Sequence, residues 1–179
     1  MPQNFRLPCD CGNSHTAVGN MGMLNASIRL LPVWGDLPVG FDDLREEAHT
    51  EGYRMLDRLA ADWQAGMVRF DRPGERLLAA EGNGVLAAIG GLTLDPVVVE
   101  ALRMRRFYVR RQFRRSGIGR CLAADLLDPP AKAGRLVTVN AAARSSPFWE
   151  ALGFVRDEQS GHTHVLVPRR TKSRPEVSG

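Results

Sequence analysis

The sequence predicts an α+β fold in which antiparallel hairpins are followed by one strand–helix–strand crossover. Apolar segments at 76–81 and 85–94 flank the turn residues Asn83-Gly84, a pattern typical of a tight antiparallel hairpin. Further along, an apolar strand at 102–109 leads into a helix and then into a buried strand at 135–141, which indicates a parallel crossover. The sheet is therefore predicted to be mixed, and not a repeating doubly wound unit.

Local periodicity predicts the elements before this crossover. The segment SIRLLPVW at 27–34 is a first strand. Over 41–63 apolar residues recur mostly at every third or fourth position, which predicts a helical face. Gly52 interrupts that pattern, so we expect two helical segments. A polar turn at 69–75 then precedes the hairpin, and Asp95-Pro96 ends it.

Two more helices are expected after the strand at 102–109. The first begins near Gly117 and is expected to end before Pro129-Pro130, because proline lacks the amide hydrogen that a helix needs. The second is a short helix at 145–152, which Gly153 closes as its C-terminal cap.

A single domain is predicted over 27–169. It ends in a hairpin whose alternating residues His162 and His164 we expect at the surface. Residues 1–26 show no periodicity and are interpreted as an extension outside the fold, and the charged residues 170–179 as a tail.

Length and composition are those of one globular domain. The chain has 179 residues, of which 44% are hydrophobic and 25% charged. A formal net charge of +4 permits an anionic partner without requiring one. The N-terminus lacks the apolar core of a signal peptide, and no apolar run approaches the ~18 residues of a membrane span. A cytoplasmic protein with no membrane partner is therefore predicted.

The three cysteines predict neither a disulfide framework nor a metal site. Cys9 and Cys11 with His15 would supply only part of the four ligands that a zinc site normally takes, so no metal is expected. Cys121 falls on the helix after the crossover strand and is interpreted as a small core residue, which disfavours an acyl-cysteine route.

The most informative segment runs from 101 to 120, which holds eight arginines and no carboxylate. A strand here enters a glycine-containing turn and then a helix, whose first amide groups are unpaired and, with the helix dipole, attract an anion. Gly117 and Gly119 permit close approach of a ligand to the backbone. The shape suits a pyrophosphate. A Walker loop is excluded because no Gly-Lys-Ser/Thr follows, and a dinucleotide fingerprint because the turn does not follow a first parallel strand.

These residues carry a resemblance to a known family. Arg114-x-x-Gly117-x-Gly119 after the strand RRFYV resembles the acyl-CoA pyrophosphate loop of the GNAT superfamily of N-acyltransferases. The segment NAAARSSPFWEALGFV at 140–155 is similar to that superfamily's second signature, an aromatic pair followed by Leu-Gly-Phe. The order of elements agrees over about 27–168. The resemblance implies a mostly antiparallel sheet of six to seven strands, splayed at the cofactor site, with helices on both faces.

The resemblance also implies a cofactor and the residues that hold it. Acetyl-CoA would donate its acetyl group to an amine acceptor that approaches from the opposite side, where helix 41–65 and turn 69–75 shape the pocket. A homodimer would be in keeping with similar families. The residues implied at the cofactor are Phe107, Tyr108, Val109, Arg114, Arg115, Ser116, Gly117, Ile118, Gly119, Arg120, Asn140, Phe148 and Trp149.

Two positions depart from the family's pattern. Where many members carry a carboxylate on the central strand as general base, this chain has Arg103. Where many carry a tyrosine that protonates the leaving thiolate, it has Trp149, whose indole N–H is too weak an acid. The replacements considered are Glu51, Glu47, Asp95, Glu100 and Tyr108. Of these we name Glu51, Asp95 and Tyr108 as catalytic candidates, with Glu51 first.

Three functional hypotheses remain at this stage. The leading one is an N-acetyltransferase that moves the acetyl group of acetyl-CoA to a primary amine of a small molecule or a protein by direct attack in a ternary complex. The second is a catalytically silent acyl-CoA-binding module, motivated by Arg103 and Trp149. The third is a nucleic-acid patch at RRQFRR, which is disfavoured because the chain lacks a recognition helix or stacking aromatics.

Overall fold

The computed structural model describes residues 28–157 and 161–168, and the proposed extension and tail lie outside these ranges. Seven strands form one sheet in the order β1-β2-β3-β4-β5-β7-β6. Every neighbouring pair is antiparallel except β4 and β5, which are parallel. The predicted mixed, mostly antiparallel sheet with its single crossover is confirmed.

The elements follow the predicted order, although the late strands are shorter than their apolar segments. The strands are β1 Ile28–Pro32, β2 Arg76–Gly82, β3 Val85–Leu94, β4 Leu102–Val109, β5 Val137–Val139, β6 Val155–Arg156 and β7 His164–Leu166. The helices are α1 Phe41–Thr50, α2 Met55–Gln64, α3 Ile118–Lys132 and α4 Ser146–Glu150.

Helices cover both faces of the sheet, and alternation along β2 shows how. Leu78 and Ala80 belong to a core cluster that includes residues of α3 and α4. Leu77 and Ala79 belong to a second cluster built with α1 and α2. Successive side chains of a strand point to opposite faces, so each helix pair buries one face. We call these the α3/α4 face and the α1/α2 face.

Positive φ angles, which glycine adopts readily, occur at two positions where the sequence predicts a turn or an interruption of a helix. Asn83 and Gly84 both have positive φ, 53° and 77°, as a two-residue hairpin turn of type I′ requires. Gly52, with φ of 85°, separates α1 from α2. Both positions were readable from the sequence because the requirement is local.

The prediction that α3 ends before Pro129 is wrong, because the helix continues through both prolines to Lys132. Pro129 cannot donate to the carbonyl oxygen of Asp125 one turn earlier. Arg76 of β2 takes over that role: its Nη1 donates to the Asp125 carbonyl oxygen at 3.1 Å and its Nη2 to Oδ1 at 3.2 Å. A partner from the sheet therefore satisfies the group that proline leaves unpaired.

Candidate active site

The strands β4 and β5 separate halfway along β4. Their pairing ends at Met104↔Val139, while β4 continues to Val109. Arg106 has a positive φ of 56°, at a point where the register with β3 also shifts. The Arg110 amide donates to Ala87 of β3, so by alternation the backbone groups of Val109 point away from β3, into the split. The splayed strands expected at the cofactor site are present.

The loop after β4 ends at an uncapped helix N-terminus. Gly117 precedes α3 with φ of 90° and makes no side-chain cap, and Arg115 also has positive φ, 65°. The first amide bonded within α3 is that of Cys121, which donates to the Gly117 carbonyl. The amides of Ile118, Gly119 and Arg120 therefore have no helical partner, and the helix dipole adds positive charge there.

Aromatic residues form the wall across the split. A Cβ on Gly119 would lie 3.1 Å from a methyl of Val109 and 3.6 Å from the ring of Phe148. Glycine at this position therefore allows the start of α3 to lie close to Val109. The Phe107 ring packs against Phe148 and Trp149, with centroids 5.7 and 5.0 Å away. Trp149 is 4% exposed and also contacts Phe154, which makes it a core residue behind the half-buried Phe148.

Glu47 of α1 and Glu51, directly after the end of α1, bind the arginines of the loop. Glu51 Oε2 lies 2.7 Å from Arg114 Nη2, and Glu51 Oε1 lies 3.5 Å from Arg111 Nε. Glu47 accepts a hydrogen bond from the Arg111 amide at 2.6 Å and lies 3.6 Å from Arg110 Nε. The basic run is thus partly neutralised from the α1/α2 face, and is less cationic than its sequence indicates.

Tyr108 joins these glutamates to the sheet. Its hydroxyl lies 3.2 Å from both Glu47 Oε1 and Glu51 Oε1, and the Arg114 guanidinium lies 5.4 Å from its ring centre. Burial, followed by the charges of Glu47 and Glu51, raises the pKa of Tyr108 well above its usual value, against the opposing effect of Arg114. The hydroxyl therefore stays protonated at neutral pH and acts as a donor.

Asp95, the third catalytic candidate, lies at the opposite end of β4. Its carboxylate is fully buried and receives Nε of Arg103 at 3.0 Å and the hydroxyl of Thr138. The amides of Val97 and Val98 donate to Asp95 Oδ1 as well. Every one of these contacts holds the chain between β3 and β4, which is the environment of a structural ion pair.

The remaining residues of interest follow β5 or lie in β7. Asn140 is exposed directly after β5 and donates to the carbonyl of Gly161 at 3.0 Å. The expectation that His162 and His164 lie at the surface is wrong, since they are 5% and 2% exposed. His164 bonds to the Thr163 hydroxyl, and its Nε2 lies 3.6 Å from Glu150. Alternation indicates that the two histidines share one side of the strand, but not that this side is the covered one.

The site fits an elongated ligand that ends in phosphates. The unpaired edge of β4 offers backbone groups to an amide-containing chain, and the glycines and free amides at the start of α3 form an anion cradle. A Cβ on Gly117 would meet no atom within 4 Å, so the space in front of the helix is open. These are the features that a pantetheine arm joined to a pyrophosphate requires.

Comparison with known proteins identifies the family. The acetyltransferase (GNAT) domain model matches residues 42–166, more than half of the chain. The fold, the split sheet and the cradle define an acyl-CoA-dependent transferase of this class. The chain belongs to the GNAT acetyltransferase family and is an acetyltransferase.

Solved structures share the fold at low sequence identity. An acetyltransferase-like protein of Exiguobacterium sp. 255-15 is 22% identical, with 79% of this chain and 93% of that one covered and a TM-score of 0.69. A GNAT-family N-acetyltransferase of Escherichia coli in complex with CoA is 16% identical, with coverages of 83% and 84% and a TM-score of 0.56. Glucosamine-6-phosphate N-acetyltransferase of Arabidopsis thaliana is 15% identical, with coverages of 74% and 95% and a TM-score of 0.51. No curated protein matches the chain significantly.

Some predictions lie beyond these findings. Cys9, Cys11 and His15 fall outside the described residues. Within residues 28–157 and 161–168, no helix is long and apolar enough to cross a membrane. A cytoplasmic location and a homodimer stay predictions.

The catalytic candidates named from the sequence omit Glu47, and the sequence does not single out Arg105, whose Nε is buried without a partner in the described residues. Glu47 precedes Glu51 by four residues, which places both carboxylates on one side of a helix, and this signal was available. Arg105 could not be distinguished from its neighbours, because Arg103 and Arg106 carry the same charge on the same strand. Only the contacts that each of these three arginines makes in the folded structure distinguish one from another.

Proposed function

We propose that this enzyme transfers the acetyl group of acetyl-CoA to a primary amine, with both substrates bound and no covalent enzyme intermediate. The reaction forms a C–N bond, breaks the C–S bond of the thioester and moves one proton from nitrogen to sulfur. One observation carries the proposal: the unpaired edge of β4 ends at a cationic loop and at the open N-terminus of α3. Acetyl-CoA supplies the activated acetyl group.

The loop and the split are assigned to the cofactor. The amides at the start of α3 would bind the pyrophosphate, and the β4 edge at Phe107–Val109 would hold the pantetheine, with Phe148 and Asn140 on its other side. Arg114 donates to the Val109 carbonyl at 3.0 Å as well as pairing with Glu51, so its guanidinium orders the loop against β4. Trp149 supports the aromatic wall from the core.

The acceptor is assigned to the α1/α2 face. The carboxylates of Glu47 and Glu51 lie beside the loop on this face and would attract a protonated amine. Glu51 is the candidate acceptor of the amine's proton, and Tyr108 holds both carboxylates in place. Asp95 is left out of this machinery, because its partner Arg103 precedes Val109 by six residues, roughly 20 Å along the strand.

Direct attack is favoured by the placement of Cys121. This residue is 4% exposed, which is typical of a small core residue and not of a thiol presented to a substrate. Positioning of a neutral amine next to the thioester supplies several kcal/mol of catalysis without a further group, at about the level known for oriented reactants.

The function is tested by mixing the enzyme with acetyl-CoA and a panel of primary amines. We expect amine-dependent thiol release and an acetylated product of the mass of the amine plus one acetyl group. Tight CoA binding with no thiol release from any amine would instead support a silent acyl-CoA-binding module.

The role of Glu51 is tested by its pH–rate profile. For the best amine in the panel, Glu51→Gln is expected to lower kcat by about 100-fold near neutral pH and to change the shape of the profile, because glutamine cannot accept a proton. Glu46→Gln, on the exposed side of the same helix, should behave as wild type. A Glu51→Gln profile that matches the wild type would exclude Glu51 as the base.

A further inference from the structure

Three arginines of β4 differ in whether they have a partner. Arg103 is paired with Asp95 at 3.0 Å. Arg106 donates to Asp62 Oδ2 at 2.7 Å and to the Met55 carbonyl at 3.2 Å. Arg105 makes no hydrogen bond or ion pair with any described residue, and its Nε is buried without a partner. A half-buried guanidinium without a counter-charge is costly, so this one calls for an explanation.

The carboxylates around Arg105 are already engaged. Burial lowers the pKa of Arg105 and the charge of Arg103 lowers it further, while Asp95, Asp62 and Glu75 act in the opposite direction. Asp95 binds Arg103 and Asp62 binds Arg106. Glu75 accepts the amide of Leu94 at 3.0 Å. Glu75 keeps its charge, but no ion pair joins any of these three carboxylates to Arg105, which is left without a directly bound counter-charge among the described residues.

The register of the sheet places Arg105 on the α1/α2 face. Arg105 lies directly opposite Gly91 of β3, and directly opposed residues share a face. A Cβ on Gly91 would fall 2.5 Å from the ring of Phe70, which belongs to the α1/α2 cluster. Phe70 therefore covers the neighbouring position on that face.

Arg105 also lies where the split begins. It is the first residue after Met104, the last position of β4 that pairs with β5. A second unpartnered group lies on the same face, since the hydroxyl of Thr93 is buried without a hydrogen bond and Thr93 is opposite Arg103. Two unsatisfied polar groups thus belong to neighbouring residue pairs on one face of the sheet, the side assigned to the acceptor.

We propose that Arg105 binds an anionic group of the acetyl acceptor, so that the preferred substrate is an amine that also carries a carboxylate or a phosphate. This inference rests on the proposed function, because it takes the α1/α2 face as the acceptor side. A guanidinium presents paired N–H donors that match either anion, and a ligand anion would supply the counter-charge that the chain withholds. Arg105 thereby determines specificity, whereas Glu47 and Glu51 attract the amine.

Binding is measured first, by calorimetry on enzyme saturated with CoA, so that the cofactor's own phosphate sites are occupied. The probes are two matched pairs: O-phosphoethanolamine with ethanolamine, and β-alanine with β-alaninamide. We expect the wild type to bind at least one acid about 10-fold or more tightly than its neutral partner. The two acids show whether phosphate or carboxylate is preferred.

Variants then locate the effect. Arg105→Gln should remove the preference for the acid and leave the affinity for CoA unchanged. It should not lower the melting temperature, because the side chain has no partner among the described residues and its burial is costly. Arg105→Lys should retain part of the preference for the acid, because lysine keeps the positive charge but lacks the paired N–H donors of a guanidinium. Arg58→Gln removes the same charge from the exposed side of α2 and should keep the preference intact.

The outcomes separate this inference from the proposed function. Arg105-dependent binding of an acid without acetyl transfer would support the inference and contradict the function. Acetylation of neutral and acidic amines at equal kcat/KM would support the proposed function and contradict the inference about Arg105. Failure of both acids to bind, or equal binding by wild type and Arg105→Gln, would overturn the inference.

Discussion

Gly117→Trp is expected to weaken CoA binding by about 100-fold or more. Gly117 lies directly before α3, and a side chain there would occupy the open space in front of the unpaired amides. The indole would exclude the pyrophosphate from the cradle and add nothing to replace its hydrogen bonds. Calorimetry with CoA measures the loss.

Gly134→Trp is the matched control. Gly134 follows the other end of α3, also has positive φ, 67°, and a Cβ placed on it would likewise meet no atom within 4 Å. Both variants therefore place a side chain at positive φ, which costs on the order of 1–2 kcal/mol. Gly134→Trp should bind CoA as wild type does. Equal affinities for the two variants would contradict the assignment of the cradle.

Asp95→Asn is expected to lower the free energy of unfolding by about 3 kcal/mol. Asparagine keeps the size of the side chain and can still accept the amides of Val97 and Val98. It leaves Arg103, only 10% exposed in its side chain, without a counter-charge. Urea denaturation measures the change. Asp42→Asn, which breaks an exposed pair with Arg45, should cost less than about 1 kcal/mol.

Acid unfolding offers a second measurement of the Asp95 pair. Burial raises the pKa of Asp95, but hydrogen bonds from Thr138, from two amides and from Arg103 outweigh it and lower the pKa to about 2, against an ordinary value of 3.8. Since the folded-state pKa is the lower one, the stabilisation is complete above pH 3.8 and is lost as the pH falls towards 2. Asp95→Asn should lose this part of the pH dependence. A variant as stable as the wild type at neutral pH would contradict the role of the pair.

Much of the fold follows from local patterns. The turn at Asn83-Gly84 and the break at Gly52 require backbone angles that few residues adopt, so the sequence marks them directly. The loop that we propose for the cofactor is of the same kind, since its glycines and the following helix are adjacent in the chain. The late strands are shorter than predicted because an apolar run does not show where its neighbour stops pairing.

The wrong predictions concern features that depend on contacts with residues far away in the sequence. Pro129 ends a helix only if the carbonyl it leaves unpaired stays unsatisfied, and Arg76, far away in the chain, satisfies it. The surface positions expected for His162 and His164 are wrong because alternation in a strand does not reveal what packs on each side.

By itself, the sequence determined the class of protein: the order of the elements, the hairpin, and a glycine turn that opens a helix N-terminus to a phosphate. Only the tertiary structure decided which charges are available. It joins Arg114 to Glu51 across 63 positions of the chain and leaves Arg105 without a partner in the part of the chain that the structure describes. The physical reason is that backbone conformation depends on neighbours in sequence, whereas the state of a charge depends on whichever groups the fold brings to it.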